Sequence, residues 1–223
     1  MYATTSILAA IAHKNHTGEG QYIDLALLDT QIAVMANVAS AYLCSDEIPK
    51  RWGNASPTIV PYQTLPTSDG WMIVAAGNNG QFRHFVTAGD EAHLADNPLY
   101  SENPMRVKHR EQLVPLLEEM TRKKTKVEWI TLLEKANVPC GPINNFQEVF
   151  ENEQVKARDI QMNVPHPTAG IMKLVASPMR LSKTPVEVRM APPTLGQHTD
   201  EILRERLGLS AQDIVLLREK GSI

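Results

Sequence analysis

A chain of 223 residues with a formal net charge of -3 at pH 7 can bury a core as one large domain or two smaller ones. Its near-neutral balance (pI about 6.2) removes the electrostatic case for nucleic acid or a membrane surface as partner. No apolar run reaches the roughly 20 residues of a membrane span, and residues 1–12 lack the basic region and small-residue cleavage site of a signal peptide. Two cysteines, Cys44 and Cys140, make neither a disulfide framework nor, with the histidines, a metal-ligand spacing. A reduced, cytoplasmic setting is the expectation.

In chain order, residues 4–13 read as a helix with Ile7, Leu8 and Ile11 on one face, followed by a polar loop at 14–20. Residues 21–26 alternate Tyr22 and Asp24 against Ile23 and Leu25, the pattern of a strand. Residues 28–45 predict one long helix, apolar on most sides and therefore buried. At 51–81 the pattern changes to loop, strand, tight turn, strand, loop. The loop Trp52-Gly53-Asn54-Ala55-Ser56-Pro57 leads into 61–66, Ser68-Asp69-Gly70 turns the chain, and 71–76 is a short apolar run. Loops held by rigid strands often carry function.

Residues 81–88 and 91–95 predict short helices, and Asn97-Pro98 and Asn103-Pro104 bracket a loop around Tyr100. An amphipathic helix is expected over 109–123, with Leu113, Leu116, Leu117 and Met120 inward. Thr125 with Glu128, and Asn145 with Glu148, have the spacing of capping boxes. Between them, residues 137–142 are too rich in Pro and Gly for a helix. The local apolar set, which includes Trp71, Phe82 and Trp129, suggests a smaller α+β domain over 61–159. Residues 161–165 and 171–175 flank the turn 167–170 as a second hairpin, and 182–193 reads as an extended crossing segment. A helix over 201–207 ends at Gly208, and Ser210 with Asp213 caps a last one carrying Ile214, Leu216 and Leu217.

Chemistry is sparse on direct inspection. There is no P-loop and no dinucleotide-binding glycine pattern. His13 and His16 read as solvated residues, with metal ligation as the alternative. Cys140 reads as a structural thiol, with a nucleophile as the alternative. Asp29 reads as a charge at a helix N-terminus. No metal and no permanently bound cofactor is expected.

Four motifs go further. Residues 17–29, TGEGQYIDLALLD, resemble the TGxGQxVDxxLxD segment of the class III CoA-transferases, the formyl-CoA and carnitine CoA-transferase family. Gly53-Asn54-Ala55-Ser56-Pro57, with Pro61-Tyr62 and Asp69-Gly70-Trp71, resembles its GNxHP-type loop and hairpin. Val138-Pro139-Cys140-Gly141-Pro142 is similar to its VPxGP turn, and residues 195–203 to its LGxHTxEIL motif. Each alone is weak; their order along the chain is specific.

The resemblance implies an α/β fold in which both chain ends, here 1–51 and 184–223, belong to a Rossmann-like large domain. The 61–159 segment would be an inserted small domain, and two subunits would interlock as a homodimer. It implies acyl-CoA and a carboxylic acid as substrates, with CoA passed through an aspartate nucleophile by way of mixed anhydride and thioester intermediates. That aspartate, and most of the CoA-binding residues, lie in the part of the family fold ahead of Met1, so no catalytic residue is assigned here. Gly53, Asn54, Ala55, Ser56 and Pro57 correspond to the loop that closes over the intermediate, although formyl-CoA transferase has several glycines where this loop has one. The resemblance therefore implies a truncated transferase, with the missing amino-terminal half or a second subunit as partner. An α-methylacyl-CoA racemase-like isomerase and a catalytically inactive binding or assembly module are the two alternatives.

Overall fold

The computed structural model describes residues 1–223, and they divide into two compact units. One comprises residues 1–68 and 72–140, the other residues 69–71 and 141–223.

The first unit opens with α1 (Tyr2–Thr17), which ends at Gly18 in the left-handed region (φ 83). Residues 14–17, expected as loop, continue this helix because nothing before Gly18 interrupts it. Residues 21–26 do not form the expected strand. Their alternation supplies two side-chain faces, but a strand also needs a neighbouring edge for its N–H and C=O groups, and no strand pairs with them. The helix expected over 28–45 is two helices, α2 (Leu27–Val34) and α3 (Ala36–Ser45). They bend by 81° where Ala36 takes the left-handed φ of 39. The expected burial is also corrected: none of α1, α2 or α3 holds a buried residue. Ile32, Met35, Val38 and Tyr42, with Ile48 and Pro49, line an open apolar groove of about 420 Å³.

The core begins at Val60. β1 (Tyr62–Pro66) and β2 (Trp71–Ala75) follow the expected hairpin. Next come α4 (Asn79–Ala88), α5 (His93–Asp96), α6 (Asn103–Lys108), α7 (Arg110–Thr121), α8 (Lys126–Lys135) and β3 (Cys140–Ile143). The strands form a sheet in the order β1-β2-β3. Helix α6 begins at the Asn103-Pro104 pair that closes the expected loop around Tyr100, since Pro104 occupies a first-turn position where its missing N–H costs nothing. The turn expected at 137–142 becomes β3 at its second half, and just before it Ala75 N donates to Pro139 O at 2.9 Å.

Leu65, Met72, Phe82, Leu117, Trp129 and Leu133 are fully enclosed. Leu113, Leu117 and Met120 share the inward stripe of α7, but Leu116 is 42% exposed and lies outside it. Trp71 is likewise half exposed and not part of the core. The Trp129 indole N–H donates to Thr121 O at 2.7 Å, so the largest buried ring keeps no unpaired donor. Its ring meets Phe85 at 6.0 Å. Gly89 packs against the Met120 side chain, where an added Cβ would collide with the sulfur. The capping box of α8 is formed, with Thr125 and Glu128 bonding each other's backbone N–H.

The second unit holds α9 (Phe146–Glu151) and α10 (Glu153–Ala157), then β4 (Gln161–His166) and β5 (Gly170–Val175), and last α11 (Thr199–Leu207) and α12 (Ala211–Glu219). β4 and β5 pair antiparallel from Gln161↔Val175 to His166↔Gly170, the second hairpin in its expected place. His166 closes the turn: its Nδ1 accepts from Thr168 N and Ala169 N, which leaves Nε2–H to donate to Pro192 O at 3.1 Å. The capping boxes at Asn145 and Ser210 are both present. Hydrogen bonds from Ser210 hold the Asp213 carboxyl below the usual carboxylate range. Val164 and Ile214 are the buried apolar side chains of this unit; every other one in the chain falls between Val60 and Val138. No single helix of the chain is long and apolar enough to cross a membrane.

Candidate functional site

The loop that carries Gly53, Asn54, Ala55, Ser56 and Pro57 runs along the α6–α7 segment of the first unit. Its backbone bonds are few. Ala55 N donates to Trp52 O at 3.0 Å, and Ser56 N to Tyr62 O at 2.8 Å. The Ser56 hydroxyl accepts from Thr58 N and Ile59 N, an arrangement typical of a serine that replaces missing backbone partners in a turn. Gly53 sits at φ 59, a conformation that strains any residue with a Cβ. Nothing lies within 4 Å of where a Gly53 Cβ would point, so the tip of the loop is free for approach.

The rest of the hold comes from three side chains at 103, 106 and 110. Asn103 Nδ2 donates to Thr58 O at 2.8 Å while its Oδ1 accepts from Val60 N at 3.1 Å. Arg106 is fully buried. It donates to Val60 O at 2.6 Å, Tyr100 O at 2.9 Å, Ser101 O at 3.2 Å and Asn79 Oδ1 at 3.0 Å, and its guanidinium lies 4.3 Å from the Phe82 ring centroid. Burial pulls its pKa from 12.5 down to about 10, so it stays charged at neutral pH. Arg110 stacks on Trp52 at 4.3 Å, and its Nη2 donates to Ser56 O at 2.9 Å and Pro57 O at 3.1 Å. Burial lowers its pKa as well. Asn79 Oδ1 also accepts from Asn103 N at 3.1 Å, which joins the start of α4 to the same network.

The family motif in the sequence points to the loop but not to Asn79, Asn103, Arg106 or Arg110. A signal was present: counting back from Met120, Leu117 and Leu113 by helical steps gives Arg110 and Arg106, two arginines on a stripe otherwise made of core side chains. The other candidates fall elsewhere. His13 and His16 are exposed on α1, and Asp29 lies in the first turn of α2 as expected. Cys140 is a half-buried free thiol whose pKa is raised by burial and then by the charge of Glu134, which opposes a nucleophilic role. Cys44 is free and exposed. With a thiol reagent at pH 8, Cys140 should react about tenfold or more slowly than Cys44, because the thiolate is the reacting form. Its rate should climb as the pH rises. Equal rates for the two thiols, followed by mass spectrometry, would contradict the burial of Cys140.

The chain matches the family described as CoA-transferase family III over residues 1–199. It is 40% identical to succinyl-CoA:glutarate CoA-transferase of Homo sapiens, across 100% of this chain and 51% of that protein. It is 38% identical to succinate–glutarate CoA-transferase of Agrobacterium fabrum, across 92% of this chain and 51% of the relative. Among solved structures it superposes on a CAIB/BAIF family protein from Brucella suis with a TM-score of 0.76 at 38% identity, covering 92% of this chain and 53% of that one. The chain spans about half the length of the curated relatives it matches.

Proposed function

That this chain belongs to CoA-transferase family III is the premise from which we propose that it works as part of a CoA-transferase moving CoA between an acyl-CoA and a carboxylic acid. Identity of 40% along the whole chain with a succinyl-CoA:glutarate CoA-transferase carries this reading, and it favours dicarboxylates as the acids. The racemase and binding-module alternatives have no such support.

In the proposed reaction a carboxylate outside residues 1–223 attacks the thioester carbonyl. The C–S bond breaks, giving a mixed anhydride and a CoA thiolate; the thiolate then attacks the enzyme's carbonyl of the anhydride and the free acid leaves. The acceptor acid reverses both steps. Covalent catalysis of this kind divides one hard step into easier ones. The loop at 53–57 would cover the intermediate, exclude water and offer backbone N–H groups to developing negative charge. The open space at Gly53 and the rigid ledge at 103–110 suit that task. We also propose that 1–51 and 184–223 are segments of a Rossmann-like large domain, with 61–159 inserted as the small one, in a homodimer. The exposed apolar faces of α2 and α3 support burial against the rest of that large domain. The two free thiols support a cytoplasmic setting.

A polypeptide of residues 1–223 by itself should give no label exchange between succinyl-CoA and free glutarate. Co-expression with the remaining half of the Agrobacterium relative should restore exchange. Sustained turnover by residues 1–223 alone would put the nucleophile within them and overturn its placement. A folded, stoichiometric complex that stayed inert would count against the transferase reading.

A further inference from the structure

The loop over 52–57 is held in two separate sections. Its exit, 58–60, is tied through Thr58 O, Val60 N and Val60 O to Asn103 and Arg106. Across 52–57 the Arg110 side chain stacks on Trp52 and donates to the carbonyls of Ser56 and Pro57, and Ser56 N donates to Tyr62 O of β1. A single guanidinium therefore spans both ends of the Gly53–Ala55 bend. We infer that Arg110 is the positioning residue of this loop, fixing where Gly53, Asn54 and Ala55 stand while the core beneath is held by other groups. Its role in acyl transfer rests on the reading of this loop as the cover of the intermediate.

Chemistry makes the assignment specific to arginine. The planar guanidinium presents its face to an aromatic ring while its N–H edge donates to carbonyls in the same plane. A lysine ammonium can reach the ring or a carbonyl but has no planar edge to serve both. Arg110 Nε is enclosed and makes no hydrogen bond, so the side chain is placed by its Nη2 bonds and its stack.

Chymotrypsin reads this directly, because cleavage after Trp52 needs the indole to leave Arg110 and enter the protease pocket. In the 223-residue chain, Arg110→Met should speed cleavage of the Trp52–Gly53 bond about tenfold, equivalent to about 1.4 kcal/mol of hold. The rate is taken relative to the exposed Tyr42–Leu43 bond by mass spectrometry. The melting temperature of the core should change little, and Arg110→Lys should give an intermediate rate. Asn103→Ala, which frees only the exit, should leave the Trp52–Gly53 rate near that of the unsubstituted chain. An unchanged rate in Arg110→Met, or an equal rise in Asn103→Ala, would overturn the assignment. In the restored complex, Arg110→Met should shift the balance from CoA transfer toward hydrolysis of the acyl-CoA. A faster cleavage with an unshifted balance would remove the loop from the acyl site and leave the positioning role intact.

Discussion

Arg106→Met is expected to destabilise the core by about 3–5 kcal/mol, since it strips the donors from Val60 O, Tyr100 O and Ser101 O, and each buried acceptor left unpaired costs about 1–3 kcal/mol. Methionine keeps much of the volume beside Phe82, so the loss is one of hydrogen bonds and not of packing. Against a typical domain stability of about 5–15 kcal/mol this is a large fraction. It should appear as a fall in melting temperature of about 15–30 °C on the scale of a 100-residue domain. Arg106→Lys should not restore stability, because one ammonium cannot serve acceptors arranged around a planar fork. The removed cost of burying a charge offsets part of the loss. A melting temperature within about 3 °C of the unsubstituted chain, read by far-ultraviolet circular dichroism, would show that these bonds contribute little.

Limited proteolysis is expected to leave a resistant product of about residues 60–140 while both flanks disappear. The core lies within 60–138, and α1, α2 and α3 bury nothing. Segments with few buried contacts open at little cost, and proteases cut in the opened form. The earliest cuts should fall between Tyr42 and Trp52 and within 182–193, which is irregular and largely exposed. Because Trp129 and Phe85 are inside the product, its tryptophan emission should stay blue-shifted throughout digestion. A first stable product that kept residues 1–45 and lost 60–140 would reverse the assignment of where the stability resides.

What could be read from the chain alone follows from the range of the interactions involved. The caps at Thr125, Asn145 and Ser210 lie in the structure where their spacing put them, because each is complete within four residues and needs no help from elsewhere. The turn at 167–170 and the first hairpin were legible for the same reason. The four family motifs were also legible, since a motif is a property of order along the chain.

Partners distant in sequence decided the remainder. Residues 21–26 have the alternation of a strand, but pairing is decided by the edge beside it, and the chain's own pattern carries no information about that edge. The pattern over 28–45 gave helix but one helix where there are two, and within residues 1–223 its apolar face is exposed, because burial depends on what covers a face. Leu116 and Leu117 differ by one step of about 100° around α7, enough to put one in solvent and the other in the core. The network under the loop is the strongest case: Arg106 meets Val60 and Arg110 meets Ser56 across 46 and 54 residues. Helical spacing puts both arginines on the stripe of Leu113, Leu117 and Met120, but it does not name the carbonyls they meet. Only the packing of α6 and α7 against the loop brings them to those carbonyls, where a charge stays because its hydrogen bonds offset the water it has lost.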